Sequence, residues 1–144
     1  MSIATWIGTL NTNIAAVTGM GQVHDYRDLP GSIQVFPTAL IMPVSGTQTG
    51  GKSAPGIAIH EVQVTLYVAA QVMPEALTLA VPFIALVRDK IYSDVTLGGT
   101  CYHCLPRADG NFYDGPGGLV YGDKTLCGIM FHLSVKEIET FTTA

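Results

Sequence analysis

The tightest grouping of metal-ligating and redox-capable side chains is Cys101-Tyr102-His103-Cys104, a C-x-x-C spacing. Two thiolates at that spacing can hold half of a tetrahedral zinc, provided a tight turn presents them and a second ligand pair completes the set. They can also cycle as a dithiol, provided the motif follows a strand and opens a helix. The run from Thr100 to Leu105 reads instead as a strand, in which alternation sends Cys101 and Cys104 to opposite faces. Cys127 and His132 supply further ligand types, but at no recognised spacing. Cys101 and Cys104 are therefore expected to be small core residues.

A second candidate is Gly46-Thr47-Gln48-Thr49-Gly50-Gly51-Lys52-Ser53, which matches the phosphate-binding pattern Gly-x-x-x-x-Gly-Lys-Ser in letters. That chemistry needs a strand before the loop and a helix directly after it, whose N-terminus holds the phosphate. Here Ala54-Pro55-Gly56 and then a strictly alternating strand follow, so a flexible hairpin tip is expected. The four histidines, His24, His60, His103 and His132, form no His-x-His or His-Glu-x-x-His pattern. His24 and Asp25 are adjacent, and neighbours in a strand face opposite ways. Glu137 and Glu139 share one strand face and are expected to be solvated. No catalytic residue, cofactor site or metal site is expected, and the chain is not expected to be an enzyme. The alternative in that class is a small nucleotide- or metal-binding domain using Gly46–Ser53 or the Cys101/Cys104 pair.

Composition narrows the classes further. A chain of 144 residues suits one domain with a core of its own. Apolar residues make up 48 % and charged residues only 12 %, about half the usual charged share of roughly 25 %. Much of the surface is then neutral or apolar, the kind that becomes interface. The net charge of −4 comes from few, scattered charges, unlike the basic footprint of a nucleic-acid binder. A weakly negative wall suits DNA that passes without sticking. No apolar run reaches the roughly 18–20 residues that span a bilayer, and no signal peptide is recognised, so a cytoplasmic protein with three free thiols is expected.

The elements that must position these residues follow from periodicity. Ile3, Trp6, Ile7, Leu10, Ile14 and Val17 form one stripe, predicting a helix from Ser2 to Val17 with Ser2 as its cap. Gly19 and Gly21 end it. Gln22 to Arg27 is expected as a short strand, and Phe36 to Val44 as a second, limited to an edge or to its ends by Pro37 and Pro43. Ser45 to Gly56 has no large apolar residue and is expected as a mobile loop. From Ile57 to Gln71 a long strand puts Ala58, His60, Val62, Val64, Leu66 and Val68 on one face. Pro74 opens a second helix to about Ser93, with a stripe of Leu77, Val81, Ile84, Val87 (or Arg88) and Ile91 and a kink or break at Pro82. Arg107 to Gly118 is expected as a second mobile loop. Gly122-Asp123 turns the chain into a last strand, Leu126 to Ile138, with Cys127, Ile129, Phe131, Leu133 and Val135 inward; the tail from Thr140 is expected to fray. The predicted fold class is α+β, a single domain over residues 1–144. An antiparallel or mixed sheet of about four to six strands carries two helices on one face and a long β-hairpin loop.

In this order the pieces resemble the tail terminator, or tail-completion, proteins of long-tailed (siphophage-like) bacteriophages. The resemblance runs through the N-terminal helix into Gly19-Met20-Gly21-Gln22-Val23-His24-Asp25-Tyr26. It continues through Phe36-Pro37-Thr38-Ala39-Leu40-Ile41-Met42-Pro43, the glycine-rich hairpin loop and the strand from His60 to Val68. It closes with Thr96-Leu97-Gly98-Gly99-Thr100 and the strand from Gly128 to Glu137. It implies a structural virion protein of the tail and neck, made in the host cytoplasm. Copies of it form a ring, expected to be hexameric, on the tail tube, stop tube growth and present the head-joining surface. The implied partners are further copies of the chain, the tail tube protein and the head-tail connector (neck) proteins, with phage DNA passing through the lumen and no membrane. A neck adaptor or stopper is the alternative within this class. The expected contact residues lie in the two polar loops: Gln48 and Lys52 in the first; Phe112 and Tyr113 as aromatic anchors in the second, with Arg107 and Asp114 setting register by charge.

Overall fold

Ser2 starts the first helix, as its hydroxyl accepts from the Thr5 N–H at 3.2 Å and fills one of the donors that the first turn leaves open. The computed structural model describes residues 2–50, 56–107 and 109–139, with the backbone alone for Glu139. Along it run α1 (Ile3–Ala15), β1 (Gln22–Asp25), β2 (Thr38–Thr49), β3 (Gly56–Ala69), α2 (Pro74–Ser93), β4 (His103–Pro106), β5 (Tyr113–Tyr121) and β6 (Lys124–Glu139). The strands form one six-stranded mixed sheet in the order β1-β2-β3-β6-β4, with β5 also on β6. Only β1 and β2 run parallel; the pairs of β3 with β2 and of β6 with β3, β4 and β5 are antiparallel. This is the expected α+β architecture, and none of the described helices is long and apolar enough to cross a membrane.

The long strands set the core by alternation. Ala39, Leu66 and Ile129 form one row across β2, β3 and β6, and Ile41, Val64 and Phe131 form the next. Both helices cover that face, α1 through Trp6, Ile7, Leu10 and Ile14 and α2 through Ala80, Phe83, Val87 and Ile91. Burying a large side chain of this kind stabilises by roughly 1.5–3 kcal/mol, so the two-layer contact is the main source of stability. A smaller cluster on the opposite face gathers Ile33, Leu40, Tyr67 and Leu126 with Phe36, Leu119 and Tyr121. The Tyr121 hydroxyl donates to the Pro30 carbonyl and ties the 28–36 segment to it.

Several elements differ from the sequence expectation. Helix α2 turns Ala76, Ala80, Phe83, Val87 and Ile91 inward and leaves Val81 and Leu79 exposed. Two stripes at helical spacing competed there, and small residues at 76 and 80 let the helix sit close to the sheet. Pro82 does not split the helix, which runs unbroken through it. Strand β2 extends to Thr49, with residues 45–49 paired to 57–61 of β3. The first polar loop is therefore strand for half its length, because backbone pairing continues where apolar side chains stop. The remainder, residues 51–55, and the tail from Thr140 lie outside the described residues. The second polar loop is likewise strand for its second half: Tyr113, Asp114, Gly117 and Gly118 pair with β6 around a register shift between Asp114 and Gly117.

Where β3 and β6 run side by side, Gly128 leaves room for the Leu66 carbonyl, against which an added Cβ would collide. Gly128→Ala should lower stability by roughly 1–3 kcal/mol, read as a clear drop in Tm. Gly117→Ala, where a Cβ would meet nothing within 4 Å, should leave Tm within about 2 °C. Equal losses in the two variants would show that the two strands are not that close.

Candidate functional site

The residues singled out by type fall at three places in the sheet. The first is the helix-covered face near the far end of β6. Cys101 and Cys104 are both buried there, against the expectation of opposite faces. The strand begins only at His103, so Cys101 belongs to the turn before it and is free to curl inward. Its sulfur contacts the Thr96 carbonyl at 3.5 Å, and the Cys104 N–H donates to the Val95 carbonyl at 2.6 Å. Burial pushes the Cys101 thiol up to about 11, helped by the negative charges of Glu137 and Asp94. It pushes Cys104 up to about 12, helped by Cys101 and Asp94. Thiols held protonated in this way are poor nucleophiles and poor metal ligands at neutral pH. All three cysteines are free and buried.

Glu137, expected in solvent, lies beside them and is 5 % exposed. The Trp6 indole N–H donates to its Oε1, which corrects the expectation and explains it: a buried indole needs an acceptor. His60 packs its ring 5.5 Å from that of Trp6 and sets Nε2 3.4 Å from Glu137 Oε2, without the geometry of a hydrogen bond. The Trp6–Glu137 contact thereby ties the first helix to the last strand. No group of three or more potential metal ligands gathers among the described residues.

The second place is the end of β1. Asp25 is 2 % exposed and accepts from Arg27 Nε at 2.9 Å, Arg27 Nη2 at 2.7 Å, the Arg27 N–H at 3.0 Å and Asn11 Nδ2 at 2.9 Å. The Arg27 hydrogen bonds hold this carboxyl well below the usual range in spite of its burial. His24 turns away, to Gln22 and Asp28, so His24 and Asp25 do not act together. The cluster is a clamp that docks α1 against β1. Its signal in the sequence was the Asp25/Arg27 spacing of two, which returns both side chains to one side of the strand end.

The third place is the open face of the sheet where β4 leaves β6 and β5 joins it. The Arg107 N–H donates to the His132 carbonyl and the His132 N–H to the Phe112 carbonyl. His132 Nε2 lies 2.6 Å from Asp114 Oδ2. Arg107 holds Asp109 through two contacts, Nε–Oδ1 at 3.0 Å and Nη2–Oδ2 at 2.8 Å, with Glu61 Oε2 3.8 Å away. Three expected contact residues thus find partners inside the chain. Arg107 and Asp114 bind locally, and Phe112, expected as an aromatic anchor, is half-buried and packs on Phe131 at 5.3 Å against the edge of the core. Its apolar ring gains more from the sheet within reach than from solvent. Tyr113, 40 % exposed, and Gln48, exposed on β2, remain at the surface. Lys52 and the rest of the Gly50-Gly51-Lys52-Ser53 run beyond Gly50 lie outside the described residues. Gly46–Thr49 is strand, and the chain after Gly56 is strand where phosphate binding would need a helix.

Asp25→Asn should destabilise by about 1–3 kcal/mol at pH 7, a range kept low because Arg27 is half exposed. The folded carboxyl titrates below its unfolded value. Its stabilisation is therefore complete above the unfolded pKa of roughly 4 and drains away as pH falls below that. The Tm gap between the native protein and the variant should narrow between about pH 4 and pH 2; a gap constant over that range rules the clamp out. The thiols should give almost no reaction with a chromogenic disulfide reagent at pH 8 in the folded protein and full reaction of all three in guanidinium. A fast native thiol would contradict their burial. Compared with known proteins, the chain matches no protein-family model and no curated protein.

Proposed function

We propose that this chain is a structural subunit that assembles with copies of itself into a ring, expected to be hexameric. On this reading the ring caps the tail tube of a long-tailed bacteriophage, stops its growth and offers the head-joining surface. The observation that carries self-association is the outer half of β2. Residues 44–50 are exposed whichever face they point to, although residues 45–49 are held in register against β3. Ordering a strand costs roughly 1–2 kcal/mol per residue in backbone entropy, and within one chain this stretch returns hydrogen bonds but no apolar burial. A partner that covers it supplies the missing burial. The neutral surface and the exposed Leu79, Val81, Tyr92 and Val120 suit the same use.

The tail assignment rests on the resemblance of the sequence to tail terminators. The net charge of −4 fits a lumen that DNA crosses without binding. The neck adaptor or stopper reading shares the ring and differs in what the ring stops.

Light scattering on the purified chain of 15.3 kDa should give a mass several times the monomer, and negative-stain images should show rings. Added to polymerising tail tube protein, the chain should fix tube length and remain at one end. Rings that bind head connectors but leave tube growth unchanged would favour the adaptor; a monomer at all concentrations would refute both.

A further inference from the structure

The sheet has four free margins, and the fold treats them differently. The β1 margin is four residues long, and its Asp25 N–H is already taken by Asp28 Oδ1 at 3.1 Å. The β4 margin is closed as well: the Cys104 N–H goes to the Val95 carbonyl, and Pro106 has no N–H to offer. Short, charged or proline-bearing edges are how sheets avoid unwanted pairing. The other two margins carry proline and a register shift only at one end, Pro43 in β2 and Pro116 in β5, and beyond them residues 45–49 and 117–121 run in register with no proline and no charge. Strand β1 covers β2 only at residues 38–41, so residues 45–49 pair with β3 on one side and with no described strand on the other. Strand β5 pairs with β6 alone, and its outer margin exposes Tyr113 and Val120, the latter 68 % exposed.

We propose that neighbouring copies join by strand addition, the open margin of β2 in one copy pairing with the outer margin of β5 in the next; the proposal rests on the self-assembly reading above. The occupant is a second copy because the two open margins belong to one chain and one sheet. A foreign strand would fill one and leave the other bare. Their chemistry is compatible. Residues 43–50 carry no charge, and the one charge on β5, Asp114, is engaged by His132. Val44, 49 % exposed, would come against the apolar ground beside β5, where Val72, Met73 and Leu79 are also exposed and Val72 approaches Gly118. The margins also sit at diagonal corners: β5 flanks β6 at residues 124–131, whereas the open half of β2 flanks β3 at residues 57–62. Joining them offsets each copy along the strand direction by the same amount. A steady stagger is what a closing sheet requires, and a head-to-tail contact that closes makes a ring.

Cysteine pairs test this without disturbing the core. Ser45→Cys, Thr47→Cys and Thr49→Cys, each combined with Gly118→Cys or Val120→Cys, should include a pair that yields a covalent ladder up to the full ring on mild oxidation, while the single variants stay monomeric on denaturing gels. Light scattering on the same samples separates the two levels. Rings without any cross-link in all six combinations would overturn the strand pairing and leave self-assembly standing. Monomers throughout would overturn both. Dimers from a single β2 cysteine variant would mean that β2 pairs with its own copy, and the head-to-tail proposal would fall.

Discussion

The antiparallel pairing of β3 with β6 is the contact on which every other part of this molecule leans. It runs from Gly56↔Glu139 to Ala69↔Cys127, and its register decides which residues meet the helices. A slip of one position would turn either Val62, Val64 and Leu66 or Ile129, Phe131 and Leu133 away from the helices as a set. The helices have no comparable hold on each other, since each seats its stripe on the rows these two strands present. The small residues at the pairing have the same logic. Gly128 lies at the Leu66 carbonyl because β3 and β6 approach there more closely than a Cβ permits.

Polar groups at the edges of that layer work mainly as ties. Asp25 fixes α1 to β1, Glu137 receives the Trp6 indole, and Asp114 holds His132 across β5 and β6. Each joins elements that hydrophobic packing brings near but does not orient. Directional bonds supply the orientation, and at the buried carboxylates of Asp25 and Glu137 leaving the group unpaired would cost more than the bond itself gains. The low overall charge has a second effect. With charges so few, residues 43–49 of β2 and 115–121 of β5 are left neutral, which is unusual for sheet margins that face solvent.

Periodicity made the larger elements legible. The stripe from Ile3 to Val17 and the alternation from Ala58 to Val68 each have a single solution, and both elements formed where alternation placed them. Where two solutions were close, composition did not choose. In α2, Leu77/Val81/Ile84 and Ala76/Ala80/Phe83 are stripes one residue apart, and the smaller one faces the sheet because it packs closer. The polar stretches misled for another reason. Residues 45–49 and 113–118 lack an apolar pattern, yet hydrogen bonding to a neighbouring strand needs no side chain. The polar ties were the least visible, since Trp6 and Glu137 are 131 positions apart and Asp25 needs Asn11 from another element. Only the demand of a buried indole for an acceptor hinted at the former.

The place of β6 in the chain gives the fold an order in time. Its 16 residues follow every other described element in the chain, yet they lie between β3 and the two strands β4 and β5. As the ribosome releases the chain, β2 and β3 can pair as a local hairpin, but β4 and β5 have no strand to join, and Trp6 has no acceptor. The apolar stripes of both helices lack the β6 part of their platform until that strand has been made. The native layer must then form in one late step, dominated by contacts between distant parts of the sequence, which slows folding and prolongs exposure of apolar surface. A chain cut short by premature termination before Leu126 would retain both helices but only the β2–β3 half of the platform that shields them, leaving a fragment for chaperones and proteases to clear.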